Sequence, residues 1–159
     1  MKTLKRNAFI KAFAIVLAVL FLGACKKDSS DDGGNDPGKG SFKLKGNEYS
    51  GICTSIPATS GVSGNIDVLI TTSSGTAVFA MYNMPKGSSG TTQVVNFDDE
   101  DVAFSSSLYA ICTIYSGNNV YYSTSGTVTK TSSNSFNFSI NLYDPIEEEN
   151  VTITGSGKY

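Results

Sequence analysis

Histidine and tryptophan are absent from the 159 residues, and the single arginine is Arg6. Without an imidazole the chain has no Ser-His or Cys-His nucleophile pair, lacks the commonest general base and lacks the usual zinc ligand, so most hydrolase chemistry is excluded. Without tryptophan it lacks the broad ring on which a sugar would lie. Everything after Arg6 also lacks the planar fork that holds a phosphate at two points. Long apolar runs are almost as scarce. The main one, residues 12–22, is well short of the ~20 residues that a helix needs to cross a bilayer. Strong helix formers are thin beyond residue 25, and no stretch there keeps apolar residues at helical spacing over three turns.

What is present begins with an address. Residues 1–11 are basic, residues 12–22 (AFAIVLAVLFL) are uninterrupted apolar, and small residues follow, the order of a secretory signal peptide. An uncleaved anchor helix that borrows Phe9 and Ile10 across Lys11 is the alternative, and a charge inside the span weighs against it. Leu22-Gly23-Ala24-Cys25 closes the run and resembles the lipobox of bacterial lipoproteins. The resemblance implies a diacylglyceryl group on Cys25, cleavage before it and acylation of the new N-terminus, which would anchor the protein stably in a membrane. Residues 1–24 are then the signal peptide. Their removal takes four of the 12 basic residues and none of the 14 acidic ones, leaving a formal charge of about −6. Such a surface repels phosphate backbones, so nucleic acid is not expected as a partner.

Residues 25–40 read as a lipidated flexible tether, because KKDSSDDGGNDPGKG offers nothing to a core. Lys26 stands where the best-known lipoprotein sorting rule puts the aspartate of inner-membrane retention, so the resemblance implies the outer membrane. Lys27-Asp28 and Ser30-Asp31-Asp32 are similar to charged export signals of surface-displayed lipoproteins, which implies cell-surface exposure; a solvated linker is the other reading.

From residue 41 the pattern becomes short strand-like runs cut by turn residues, the spacing of an all-β domain over 41–159. Residues 42–45 and 49–55 flank a Gly46-Asn47 hairpin signal, and residues 65–71 and 76–83 flank Ser73-Ser74-Gly75. Residues 91–97, a strand between 102 and 115, residues 120–124 and residues 127–131 follow. In the last hairpin Phe136, Phe138, Ile140 and Leu142 alternate with Asn137, Ser139, Asn141 and Tyr143, and residues 151–154 return as the partner strand. The expectation is an antiparallel β-sandwich of about eight to ten short strands, with a lipocalin-like closed barrel as the alternative. Ser125-Gly126-Thr127-Val128-Thr129, Phe136-x-Phe138 and Thr152-Ile153-Thr154-Gly155-x-Gly157-x-Tyr159 are similar in pattern to small β-rich lipoprotein families of unknown function. That resemblance implies fold and compartment and no activity.

Three groups of residues are candidates for chemistry. Cys53 and Cys112 are the cysteines left beside Cys25, and each sits in an apolar strand that suits a buried thiol; a disulfide between them, possible in an oxidising compartment, would contribute roughly 4 kcal/mol through loop-closure entropy. Asp98, Asp99, Glu100, Asp101 and Glu147, Glu148, Glu149 are clusters of hard oxygen ligands of the kind calcium uses, without the EF-hand spacing, and acidic loop tips are the plainer reading. Tyr109, Tyr115, Tyr121, Tyr122 and Tyr143 suit a surface for a glycan or protein ligand, and equally the outer face of any sheet. The acidic turn after Asp144-Pro145 is expected at the end of the domain away from the tether, since an anionic membrane would repel it. The functional expectation is a non-enzymatic outer-membrane lipoprotein without cofactor, serving as a surface or periplasmic binding or accessory module. A carrier of a small apolar ligand is the alternative.

Overall fold

The structure, a computed structural model, describes residues 38–59, 62–87, 89–99, 101 and 106–159. Nine strands appear in chain order: β1 (Gly38–Leu44), β2 (Asn47–Pro57), β3 (Ile66–Thr72), β4 (Ala77–Met84), β5 (Gly90–Gln93), β6 (Tyr109–Ile114), β7 (Asn119–Lys130), β8 (Ser135–Asp144) and β9 (Glu149–Lys158). All named strand pairs are antiparallel. β1, β2, β3, β4, β6, β7, β8 and β9 pair in that circular order, and β9 returns to β1. The all-β expectation therefore holds in its alternative form, a closed eight-stranded barrel rather than two separate sheets.

Closure depends on side chains that are missing at the seam. Gly155 and Gly157 of β9 lie opposite Phe138 and Phe136 of β8, and a Cβ on either would come within 2.5 Å of the facing ring. On the other side of β9, Phe42 of β1 lies opposite Gly155. Glycine thus leaves room for three large rings in a narrow barrel, the pairing of small with large that tight curvature requires. Among those rings, Phe42 and Phe79 lie 5.8 Å apart between centroids, Phe79 and Phe138 4.6 Å, and Phe138 and Phe136 6.1 Å. Tyr49 continues the column at one end, 4.8 Å from Phe42, and Tyr159 at the other, 6.1 Å from Phe136. The lumen is filled by rings along its length, and Phe79, Met81, Ile140, Leu142 and Ile153 are fully buried around them.

We call the barrel end where β1 starts proximal and the other end distal. The distal turns are residues 45–46, 73–76, 115–118 and 145–148. The acidic turn thus lies at the end away from Gly38, as expected. Several local expectations shift. β1 begins at Gly38, inside the segment read as tether, because it pairs with β2 from its first residue. The first hairpin turns on Lys45 and Gly46, one residue earlier than the Gly46-Asn47 signal, with φ of 49° and 80°. That register puts Phe42 and Leu44 inside, and burial of two large side chains outweighs the strain of a left-handed lysine.

β7 is one strand where two were expected. It bends at a bulge between Ser123 and Ser125, and Gly126 takes φ 129° where a Cβ would sit 2.5 Å from the Ile140 Cα. The bulge forks the wall: the first part of β7 pairs with β6, and the part beyond it pairs with β5 along the same edge. Buried Ser123 sits at the fork, its hydroxyl donating to Val95 O at 2.9 Å and accepting from Ala110 N at 3.1 Å. β8 buries one face as its alternation predicts, but β3, β4 and β6 are buried on both. On their outer side Phe97, just after β5, stacks 4.9 Å from Tyr122 and lies 5.7 Å from Tyr109.

Candidate functional site

Cys25 and Glu100 lie outside the described residues. Cys53 and Cys112 are buried free thiols. They stand in one cross-strand row, Cys53 opposite Ile70, Ile70 opposite Phe79 and Phe79 opposite Cys112. Three inter-strand steps of about 4.8 Å and two large side chains separate them, so of the two readings the buried thiols hold and the possible disulfide does not. Burial pushes the Cys53 thiol up to about 12 and the Cys112 thiol higher still, so neither offers a thiolate near neutral pH.

The two acidic clusters occupy different parts of the barrel. Asp98, Asp99 and Asp101 follow β5, where Asn96 Oδ1 accepts from Asp98 N and Asp99 Oδ1 accepts from Asp101 N, both at 3.0 Å. Glu147, Glu148 and Glu149 are exposed at the distal turn. Among the described residues no three carboxylate, thiol or imidazole groups converge as a metal site would require.

The five tyrosines do not form one surface either. Tyr121 points into the barrel and is buried, Tyr109 is buried on the outer wall, and Tyr122 lies against Phe97. Tyr82, which alternation alone does not mark, stacks 4.8 Å from Tyr109, and burial raises its hydroxyl pKa. These rings fasten the segment between β5 and β6 to the wall.

The polar groups that the fold does organise are at the two mouths. At the distal mouth Lys45 reaches Asp144 at 2.9 Å and Glu149 at 2.7 Å, and its ammonium lies 5.7 Å from the centre of the Tyr121 ring. The Glu149 and Asp144 contacts raise the pKa of Lys45. Asp144 is fully buried; burial alone would raise its pKa, but Lys45 and the backbone N–H groups of Ile146 and Glu147 hold it below the ordinary value. At the proximal mouth Lys130, a lysine turned inward, donates to Tyr159 Oη at 2.8 Å, Ser133 O at 3.0 Å and Pro85 O at 3.5 Å. Burial, and then Lys86 nearby, lowers its pKa. Asp67 ties the β2–β3 loop to the outer wall, accepting from Thr59 N, Thr59 Oγ1 and Asn83 N. Sequence reading missed Lys130, because its inward direction follows from the bulge earlier in β7. Asp144 was legible only as the start of a turn.

Chemically these groups are plugs and clasps. A nucleophile, a base and a donor for a developing charge, gathered around an open pocket, do not occur together among the described residues. No protein family, no curated protein and no solved structure matches the chain.

Proposed function

We propose that the protein is a lipid-anchored, non-enzymatic module of the outer membrane, held by acyl groups on Cys25 and presenting its barrel as a binding or accessory domain. The observation that carries this reading is Leu22-Gly23-Ala24-Cys25 at the close of a basic and then apolar segment, with a Gly/Ser/Asp stretch behind it. Lys26 favours the outer membrane, and the charged residues that follow favour display at the cell surface. The absence of histidine and the protonated, buried thiols are in keeping with a role that needs no nucleophile. Metabolic labelling with a palmitate analogue tests the anchor. Label that disappears on Cys25→Ser supports it, and label that persists refutes it. Protease shaving of intact cells tests display, since full protection leaves the barrel facing the periplasm.

The closed eight-stranded barrel favours a second reading, a carrier of a small apolar ligand. The column of rings from Tyr49 through Phe42, Phe79, Phe138 and Phe136 to Tyr159 weighs against it, because it occupies the space a ligand would need. Stoichiometric binding of an apolar fluorescent probe to the barrel would favour the carrier. Probe binding that appears only on Phe79→Ala, which opens the column, would favour the filled module.

A further inference from the structure

The lysines of the barrel are segregated by their place along the barrel axis. Residues 38–159 contain six, and four of them, Lys39, Lys86, Lys130 and Lys158, belong to the proximal end. Lys39 is the second residue of β1 and Lys158 the last of β9, and the register that pairs Gly40 with Gly157 sets these two exposed side chains opposite each other on the outer face. Like charges in that arrangement repel, so the pair costs stability unless an anion lies over it. Lys86 is exposed in the link between β4 and β5, close enough to Lys130 to depress its pKa. Lys39, Lys86 and Lys158 have no carboxylate partner among the described residues. Among the described residues the proximal acids are Asp67, buried and held by Thr59 and Asn83, and the carboxylate of Tyr159, while Asp98, Asp99 and Asp101 follow β5 and belong to neither mouth. The distal end carries the opposite sign in Glu48, Asp144, Glu147, Glu148 and Glu149, and its two lysines, Lys43 and Lys45, are already paired.

Two further features lie at the same end. The chain enters the barrel there, at Gly38, after 37 residues that hold the apolar run 12–22. Beside Lys39 an open groove of about 240 Å³ is lined by Lys39, Gly40, Ser41 and Ser156, which offer a cation and two hydroxyls. A phosphate oxygen is the acceptor that matches this donor set.

We propose that the barrel rests by its proximal end on an anionic phospholipid surface, with Lys39, Lys86 and Lys158 over the headgroups and a headgroup phosphate in the Lys39–Ser41–Ser156 groove. The acidic distal end then faces away from the membrane. This contact needs no acyl group, so it stands apart from the reading of Cys25. Basic side chains near such a surface act through its negative potential and are screened within a Debye length.

The test is flotation of the full chain carrying Cys25→Ser with vesicles of phosphatidylcholine, with and without phosphatidylglycerol. The ratio of the two partition coefficients cancels the apolar contribution of the N-terminal segment, and comparison with a variant lacking the three barrel lysines cancels that of its basic residues. At low salt three lysines favour the anionic vesicles by roughly tenfold to a hundredfold. Lys39→Gln, Lys86→Gln and Lys158→Gln together lower the ratio by that factor, high salt removes the difference, and the melting temperature does not fall, because all three side chains are exposed and the Lys39–Lys158 repulsion is relieved. Glu147→Gln, Glu148→Gln and Glu149→Gln leave the ratio nearly unchanged. A ratio that the three lysine substitutions leave unchanged overturns the proposal. So does a ratio that rises with the glutamate substitutions as much as it falls with the lysine ones, because that would be a response to net charge and not to one end. Failure of palmitate labelling would remove the acyl anchor and leave this ratio as it is.

Discussion

Gly155→Ala tests whether β9 really seals the barrel. The added Cβ would overlap Ser41 O, sit 2.5 Å from Phe138 Cζ and lie 2.9 Å from Phe42 Cα. Ser41 and Phe42 belong to β1, whose pairing with β9 closes the circle, so relief requires the seam to part. Overpacking of this kind costs about 1–3 kcal/mol, and we expect the upper end because one obstacle is backbone and cannot change rotamer. With a urea dependence of about 1.5–2 kcal/mol per molar, the unfolding midpoint falls by about 1.5–2 M. Gly87→Ala is the control: nothing lies within 4 Å of its added Cβ, and stability stays level or rises by up to about 1 kcal/mol. Adding Phe138→Leu to Gly155→Ala withdraws the ring but not the Ser41 carbonyl, so it recovers less than half of the loss. In an open sandwich with β1 and β9 apart, only the Phe138 ring would obstruct the added Cβ, and Phe138→Leu would recover most of the loss. That result would refute closure.

Three other outcomes follow from the mouths and the core. The Asp144 pKa is held below its ordinary value of 3.8, so its contribution to stability is complete above that pH and is lost as the pH falls through the lower folded value. Asp144→Asn should cost about 1–2 kcal/mol near neutrality, because Lys45 is partly exposed and keeps Glu149, and its melting curve should converge with that of the wild type in acid. Cys53 and Cys112 should resist a thiol reagent in the native protein at pH 8 and both react in denaturant, with no mobility difference on non-reducing gels. Glu147→Ser and Glu148→Ser should leave stability level, while Glu149→Ser costs less than about 1 kcal/mol by removing an exposed partner of Lys45, as urea titration would read.

The sequence by itself determined the class of structure and most of its elements. Period-two alternation is local, so Phe136, Phe138, Ile140 and Leu142 declared an inward face, and Ser73-Ser74-Gly75 marked a turn, without knowledge of any partner strand. The absence of histidine bounded the chemistry in the same direct way. Only the tertiary structure decided that the sheet closes. Sandwich and barrel need the same alternation, and the difference is whether β1 meets β9, a contact between residues more than a hundred positions apart. The glycines that permit it, Gly155 and Gly157, read in sequence as weak strand positions and become intelligible once Phe138 and Phe136 lie opposite them. The same holds for the thiols and the charges. Cys53 and Cys112 differ from a bridged pair only by three strands of separation, and Lys39 and Lys158 form a pair only because antiparallel register brings opposite ends of the domain together. Local sequence specifies which face of a strand is buried; which strands become neighbours is set by packing the whole core at once.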